Sequence, residues 1–278
     1  MGRPTRVTKN SSAFCRKRGE YIMKISVAII AQDEADRIAA CISSARFADD
    51  IVVVDSGSKD DTPQMAEAAG GRVFHIPWQG YARQKQAAVD LCRHDWVLLL
   101  DADEKASAKL AAKIKALNPT QLENIAAFYV YRKNFFHGRW IRRCGWWPER
   151  EVRLLNRTKG KFSDHLVHER WLASGTIKQI DAHIEHHSYQ NYADIIEKLQ
   201  RYSTLAARQL AREGHTAYWW EPVTHGGWMF FRTYLLQRGA LDGFDGLVIS
   251  LSKAGGSFLK YAKLLEAQRH RGSSLTRK

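Results

Sequence analysis

Hydrophobic and polar positions alternate between two periods along the first part of the chain. Short apolar runs rich in β-branched residues occupy positions 25–30, 51–54, 72–75 and 96–100. Amphipathic stretches of helical period separate and follow them, at 35–45, 62–69, 84–91 and 107–117. Continuous apolar strands that alternate with helices are typical of parallel sheets buried on both faces. We therefore predict an α/β fold with a mostly parallel, Rossmann-like sheet flanked by helices.

The pattern changes in the second half of the chain. Positions 128–157 are dense in aromatic residues and arginines, a long helical pattern covers 191–213, and two further helical segments precede a basic tail. We predict three parts: a basic, disordered leader over 1–22, an α/β domain over 23–190, and a helical, basic and aromatic C-terminal region over 191–278. Met23 is an alternative start of translation.

Composition and charge narrow the class of protein. The 278 residues are 45% hydrophobic and 26% charged, which is typical of a globular chain, and the formal net charge is +14. Such a surface attracts nucleic acid, anionic lipid headgroups or a phosphorylated substrate. The four cysteines form no CxxC pair, which favours reduced thiols and a cytoplasmic location. No run of 18 apolar residues occurs, so we predict no membrane span.

Polar residues follow three of the predicted strands where each strand ends. Gln32 to Glu34 follow the first strand, Asp55 to Ser58 follow the second, and Asp101 to Asp103 follow the fourth. Ligands bind beyond the carboxyl ends of parallel strands. Two carboxylates one residue apart suit Mg²⁺ or Mn²⁺, which can bridge the phosphates of a nucleotide. Asp-x-Asp also occurs by chance in turns and helix caps, and that alternative stays open.

Other motifs have structural explanations that compete with functional ones. The loop after Asp55 suits a helix cap before Pro63, and Lys85 suits a solvated basic face. The histidines between 165 and 187 match no HExxH spacing, which argues against a zinc site. If the strand ends form a nucleotide site, however, Asp55 can accept hydrogen bonds from a base and Lys85 can meet phosphate.

Four motifs in the same order resemble the inverting glycosyltransferases of family 2, which have the GT-A fold. They are SVAIIAQDEADRI from Ser26, IVVVDSGSKDDT from Ile51, GYARQKQAA from Gly80 and WVLLLDADE from Trp96. Downstream, GWWPEREVRLLNR, VHERW and the stretch from LQRGALDGFDG to FLKYAKLLEAQR resemble the subgroup that adds a hexose to the inner core of lipopolysaccharide. The sequence contains no QxxRW, the signature of processive synthases, which favours transfer of a single sugar.

The resemblance implies a role for each matching position. A nucleotide-sugar donor, with a UDP-sugar as the first candidate, would bind the residues of the first four motifs: Ala31, Gln32, Glu34, Asp55, Lys85 and Asp101. Asp101 and Asp103 would hold Mg²⁺ or Mn²⁺. The first loop has Gln32-Asp33 where the family commonly shows Asn before Glu, and Lys59 with Asp61 replaces Thr and Gly, so the base contacts are open.

The catalytic base and the acceptor contacts lie downstream in this interpretation. Glu169 is the predicted base that removes the proton of the acceptor hydroxyl. Three other carboxylates compete with it for this role: Glu149, Glu151 and Asp164. We predict that Arg142, Arg143 and Arg153 contact a lipid-linked or phosphorylated glycan acceptor. The competing explanation is a merely soluble basic loop.

Aromatic and basic residues in the C-terminal region predict contact with an anionic membrane surface. Ordinary packing against the α/β domain is the alternative. We expect a hexosyltransferase, with glucose as the first candidate sugar, that is cytoplasmic and peripheral at the inner face of the cytoplasmic membrane.

Three other functions compete with this hypothesis. One is a transferase for a different anionic glycan or lipid, and another is a basic nucleic-acid-binding protein, although no nucleic-acid motif is present. The third is a nucleotidyltransferase, which would need a basic, glycine-rich loop where this chain has the acidic QDEAD.

Overall fold

The computed structural model describes residues 14–17, 20–163, 170–189 and 191–275. It forms two compact units. Within the described residues, the first unit comprises the chain up to Tyr131 together with 151–163 and 170–184, and the second comprises 132–150 and the chain from Glu185 onward. The boundaries that we predicted at residues 22 and 190 remain predictions.

The main element of the first unit is a large mixed sheet, two of whose strands are 12 and 14 residues long. The strand bounds are β1 Phe14–Lys17, β2 Glu20–Met23, β3 Ile25–Ala31, β4 Asp50–Asp55, β5 Arg72–His75, β6 Trp96–Asp101, β7 Glu104–Ala106, β8 Ile125–Phe136, β9 Arg139–Trp140, β10 Glu149–Asn156, β11 Gly160–Phe162, β12 Trp171–Ala173 and β13 Thr176–Tyr189. The strand order of the large sheet is β5-β4-β3-β6-β10-β8-β13-β7, with β9 paired to β8, and two further two-stranded sheets are formed by β1-β2 and by β11-β12.

The sheet is parallel where the sequence predicts it. Strand β3 pairs in parallel with β4 and with β6, β4 pairs in parallel with β5, and β10 runs antiparallel to β6. Every residue of β3 is buried. This burial explains the continuous apolar run in the sequence, because both faces of the strand are covered.

Helices of the first unit cover both faces of its sheet. The helix bounds are α1 Ala35–Ser44, α2 Thr62–Ala68, α3 Tyr81–Asp90, α4 Ala108–Lys115, α5 Tyr192–Arg212, α6 Glu221–Phe231 and α7 Gly243–Leu275. Ile38 of α1 and Leu110 of α4 join Ile29 in one buried cluster, whereas Val89 of α3 joins Ala28 in another. Adjacent residues of β3 thus enter different clusters, as the alternation of side chains along a strand requires. The predicted α/β class and parallel sheet are confirmed.

The predicted helix ends differ slightly from those observed. Helix α3 begins at Tyr81, three residues before the predicted start, directly after Gly80, whose φ of +99° suits glycine. Ser107 lies outside α4 as its cap, and its hydroxyl accepts a hydrogen bond from the Leu110 amide. Both differences have the same cause: the sequence period marks the buried face, while capping residues fix the ends.

Helices dominate the second unit. Its buried cluster contains Phe136, Ile141, Cys144, Ile195 and Ile249. Helix α6 continues into a π-helical turn over Arg232–Leu236 and then a 3₁₀ turn over Gly239–Asp242 before α7. Among the described residues, no helix has the length and apolarity needed to cross a membrane.

Three cysteines are buried free thiols: Cys41, Cys92 and Cys144. Burial raises the pKa of Cys92 to about 12 and that of Cys144 to about 11. That the thiols are reduced remains a prediction. Such thiols carry little thiolate at neutral pH, so we assign them a packing role.

Candidate active site

Three strand ends meet at one edge of the sheet in the first unit. The register pairs Ala31 of β3 with Asp55 of β4, and Ile30 of β3 with Asp101 of β6. The two predicted aspartates therefore lie on either side of the end of β3. This edge contains the carboxyl ends of parallel strands, where α/β sheets bind ligands.

Hydrogen bonds join the two loops at this edge. The amide of Asp33 donates to Ser58 Oγ at 2.9 Å, and the amide of Lys59 donates to Asp33 Oδ1 at 2.7 Å. The Glu34 amide donates to the buried Thr62 hydroxyl at 2.7 Å. Gln32 is exposed beside these bonds. The loop after β3 is thus fixed by the loop after β4 while its first side chain faces solvent.

Asp55 organises the loop that follows it. Its carboxylate is 2% exposed and accepts hydrogen bonds from the Gly57 and Ser58 amides and from the Ser58 hydroxyl. Its Oδ2 lies 3.0 Å from Nδ1 of His75. Burial alone would raise the pKa of Asp55, but these hydrogen bonds outweigh burial and lower it. The carboxylate is therefore negative at neutral pH.

The structure adds two residues that the sequence interpretation did not assign to this edge, His75 and Gln84. The strand register places His75 beside Asp55, and the parallel pairing of β4 with β5 is the signal that could have found it. Gln84 is completely buried, and its amide donates to Ser56 Oγ at 3.0 Å and to the Ile76 carbonyl at 2.7 Å. Gln84 therefore holds the two loops after β4 and β5 together.

A buried charge cluster surrounds the end of β6. Arg153 of β10 is 3% exposed, and its Nη2 lies 3.1 Å from Asp101 Oδ2 and 2.7 Å from Glu104 Oε1. Glu104 Oε2 accepts from the Asp101 amide at 3.0 Å. Nζ of Lys85, also buried, lies 3.9 Å from Asp101 Oδ1. Burial would lower the pKa of Arg153, but Glu104 and Asp101 raise it, so the guanidinium stays charged.

This cluster changes the interpretation of Arg153. We predicted that Arg153 contacts an anionic acceptor, but the structure buries it against Glu104 and Asp101 instead. The other two predicted acceptor residues, Arg142 and Arg143, belong to the second unit and are exposed. The Arg142 guanidinium lies over the Trp140 ring, 4.4 Å from its centroid, and the Arg143 amide donates to Asp242. Acceptor binding by these two arginines stays a prediction.

The residues at the end of β6 have the chemistry for a hard divalent cation. Asp101 and Asp103 flank the buried Ala102 and are themselves partly exposed. Among the described residues, no group of three or more acidic, histidine or cysteine side chains could hold a metal alone. Mg²⁺ commonly takes one or two carboxylates and completes its coordination with substrate phosphates. Asp101 and Asp103 fit that mode, in which the nucleotide supplies the remaining ligands.

The candidate bases are placed only in part. Glu169, the predicted base, and Asp164 lie outside the described residues. Glu149 belongs to the second unit, where Arg132 binds both carboxylate oxygens at 2.9 Å and Asn134 donates to Oε2 at 2.7 Å. Burial would raise the pKa of Glu149, but Arg132 and Asn134 lower it. These contacts make Glu149 a poor proton acceptor, whereas the partly buried Glu151 has no such bidentate partner among the residues that the structure describes.

The comparisons with known proteins agree on one family. The profile described as glycosyl transferase family 2 matches residues 26–245. An uncharacterised glycosyltransferase of Rickettsia felis is 32% identical over 255 residues, which cover 88% of this chain and 90% of that protein. The lipopolysaccharide core biosynthesis glycosyltransferase LpsC of Rhizobium meliloti is 29% identical over 260 residues, which cover 89% and 93%.

One solved structure shows a weaker similarity. It is the glucosyl-3-phosphoglycerate synthase of Mycobacterium tuberculosis in complex with Mn²⁺, uridine diphosphate and glucosyl-3-phosphoglycerate. It is 20% identical and matches with a TM-score of 0.44, over 69% of this chain and 80% of that one.

Proposed function

The chain belongs to glycosyl transferase family 2 and is a sugar-nucleotide-dependent glycosyltransferase, and we propose that it adds one hexose to the inner core of a lipopolysaccharide precursor. The donor is a UDP-sugar, with glucose as the hexose, and transfer inverts the anomeric configuration. The similarity to LpsC supports the choice of acceptor.

The observation that carries the proposal is the placement of Asp55, Asp101 and Asp103 at the ends of two strands that pair with β3 on opposite sides. Asp55 binds the nucleoside at one end of the site, and the carboxylates after β6 lie toward the diphosphate. Asp101 and Asp103 would hold Mg²⁺ or Mn²⁺, which neutralises charge on the departing diphosphate when bound.

The cations around Asp101 support the diphosphate assignment. Asp101 forms ion pairs with Lys85 of α3 and with Arg153 of β10. Lys85 offers an ammonium beside the predicted phosphate position, and Arg153 fixes the orientation of the carboxylate. Glu169 takes the proton from the acceptor hydroxyl as that oxygen attacks the anomeric carbon.

An exposed apolar surface in the second unit supports a membrane-bound acceptor. We define it by six side chains that are between 44% and 74% exposed: Trp219, Trp228, Phe231, Leu235, Leu236 and Phe244. Trp228 and Phe231 of α6 stack with ring centroids 5.9 Å apart, and Leu235 follows in the π-helical turn. Aromatic and apolar side chains beside arginines suit the headgroup layer of a membrane.

The same surface carries exposed positive charge. Arg232 lies within the π-helical turn that contains Leu235 and Leu236, and Arg238 lies two residues after this turn. With a net charge of +14, the chain is attracted to anionic lipid. We place the enzyme on the cytoplasmic side, peripheral at the inner face of the cytoplasmic membrane.

A transfer assay tests the proposed reaction. The full chain is incubated with Mn²⁺, a lipopolysaccharide inner-core precursor and one of UDP-glucose, UDP-galactose, GDP-mannose or ADP-glucose. We expect UDP-glucose to add one hexose to each acceptor molecule. The anomeric configuration of the added sugar, measured by NMR, should be opposite to that in the donor. Transfer from another donor would replace the sugar or nucleotide. Hydrolysis of the sugar nucleotide without transfer, or no transfer to the inner-core precursor from any donor, would contradict the proposed function.

A further inference from the structure

A cavity lies entirely within the second unit and is not part of the strand-end site. Its volume is about 760 Å³, and it is bounded mainly by α5 and α7 with contributions from the ends of β13 and α6. This volume is within the range of cavities that bind small molecules, about 300–1,000 Å³. A cavity of this size can hold more than a single ion.

Four basic side chains line the cavity: Lys198, Arg232, Lys253 and Lys260. No acidic side chain is among the described lining residues. Lys253 donates to the Cys144 carbonyl at 2.6 Å, which holds its ammonium against the cavity wall. Burial lowers the pKa of Lys253 and Arg232 lowers it further, while Glu149 opposes this change. A bound anion would offset the repulsion between the charges of Lys253 and Arg232.

The remaining wall is aromatic and apolar. Trp146 and Tyr189 stack with ring centroids 5.9 Å apart, and Nζ of Lys198 lies 4.8 Å from the centroid of Tyr189. Leu199 and Ile249 also line the cavity. The wall therefore combines a group of cations with a surface that favours apolar contact.

Helix α7 lines the cavity with small polar residues. Ser252, Gly256 and Ser257 lie on the wall. A Cβ added at Gly256 would have its nearest heavy atom, Leu199 Cγ, at 4.0 Å, so this part of the wall is open. Small side chains at these positions leave room for a ligand between α5 and α7.

We propose that this cavity binds an amphiphile that carries a phosphate group. The phosphate lies among Lys198, Arg232 and Lys253, and the apolar part lies against Trp146 and Tyr189. A lipid headgroup with its chains and a simpler phosphate ester both have this chemistry, and the probes below distinguish them. The inference goes beyond the proposed transfer reaction and needs neither donor nor catalysis.

Calorimetric titration of the full chain with soluble probes tests the proposal. The probes are dihexanoylphosphatidylglycerol, dihexanoylphosphatidylcholine, hexyl phosphate and inorganic phosphate, all below the concentration at which micelles form. We expect both anionic amphiphiles to bind at least tenfold more tightly than phosphatidylcholine and inorganic phosphate. Tighter binding of the phosphatidylglycerol than of hexyl phosphate identifies a lipid, and the reverse identifies a simpler phosphate ester.

Paired variants locate the binding. Lys198→Gln combined with Arg232→Gln removes two cavity cations, and we expect the Kd for the preferred amphiphile to rise at least tenfold. The matched control, Arg208→Gln with Arg212→Gln, removes two exposed charges from α5 outside the cavity, and the Kd should change less than twofold. Circular dichroism verifies that both variants are folded.

Three results would overturn the proposal. They are no saturable binding of either anionic amphiphile, equal affinity for inorganic phosphate, and an equal loss of affinity in the control variant. Because the titration contains no sugar nucleotide, a negative result here leaves the transfer assay unaffected, and a failed transfer assay leaves this result unaffected.

Discussion

The two units use charge in opposite ways. At the strand ends of the first unit, Arg153 and Lys85 are buried against Asp101, so positive and negative groups are paired at the candidate active site. In the second unit, Arg232 and Arg238 are exposed beside apolar side chains. The first arrangement fixes a few atoms for chemistry, whereas the second presents a broad surface for attraction. If the second unit attaches to a membrane as proposed, reaction and attachment use different residues and can be tested separately.

The largest expected effect comes from removing a carboxylate at the strand ends. Asp103→Ala should lower kcat/KM by about 10³-fold or more, because charge on the leaving diphosphate is no longer neutralised. The fold should be unchanged, since Asp103 is partly exposed. The transfer assay at several Mn²⁺ concentrations measures the effect, with Asp181→Asn as the control at an exposed carboxylate. Full activity with unchanged metal dependence would contradict the assignment.

The second effect separates proton removal from donor binding. Glu169→Gln should lower kcat by about 10²-fold while the Kd for the donor is unchanged, because a general base acts only in the transfer step. Steady-state kinetics and donor titration provide the two values. A rate close to that of the unmodified enzyme would transfer the role to Glu151, Asp164 or Glu149.

Stability distinguishes the buried pair from surface pairs. Arg153→Met leaves Glu104 and Asp101 without their guanidinium and should cost about 3–5 kcal/mol of unfolding free energy. Lys109→Met breaks an exposed pair with Asp181, which solvent screens, and should have a much smaller cost. Urea unfolding measures both values. Equal costs would show that the charge cluster around β6 is not a structural unit.

The exposed apolar surface should matter only when a membrane is present. Trp228→Ser with Phe231→Ser should weaken binding to vesicles of phosphatidylglycerol and phosphatidylcholine by about tenfold, since buried apolar area is lost. Its matched control, Met65→Ser with Leu172→Ser, removes exposed apolar side chains from the first unit. Vesicle sedimentation measures binding. Equal loss in both variants would contradict a specific membrane surface.

The smallest effect is the pH dependence of stability at Asp55. Its pKa is lower in the folded chain than in the unfolded chain, so it contributes stability above the unfolded pKa, about 3.9, and loses that contribution as pH falls through the folded pKa. Asp55→Asn should therefore reduce the loss of stability between pH 5 and more acidic conditions. Urea unfolding over this range tests the sign, and an unchanged pH profile would contradict it.

The sequence predicted the positions of residues within a motif better than it predicted contacts between residues of different motifs. Asp55 and Asp101 were found because apolar strands end at them, and parallel pairing then places both beside β3. The sequence analysis grouped Arg153 with two acceptor arginines and did not find its ion pairs, because Glu104 and Asp101 lie about 50 positions earlier and on two other strands. The position of this arginine directly before two consecutive leucines, Leu154 and Leu155, is the signal that could have found it.

The other features missed by the sequence interpretation have the same origin. His75 ends a predicted strand, but only the register of β5 against β4 shows that it contacts Asp55. The cavity in the second unit arises from residues of several helices whose spacing along the chain carries no common motif. Helical periods identify which face of each helix is apolar, but they do not specify which two helices enclose a space.

A thermal-shift measurement with UDP-glucose tests the central claim most directly. The melting temperatures of the unmodified chain and of Asp103→Ala are compared with and without Mn²⁺. At a ligand concentration of 100 times Kd, native-state binding adds about 2.7 kcal/mol, which corresponds to a rise of several degrees. We predict this rise for the unmodified chain only when both ligands are present, and its loss in Asp103→Ala. An equal rise without Mn²⁺, or in the variant, would contradict a metal–nucleotide site at Asp103.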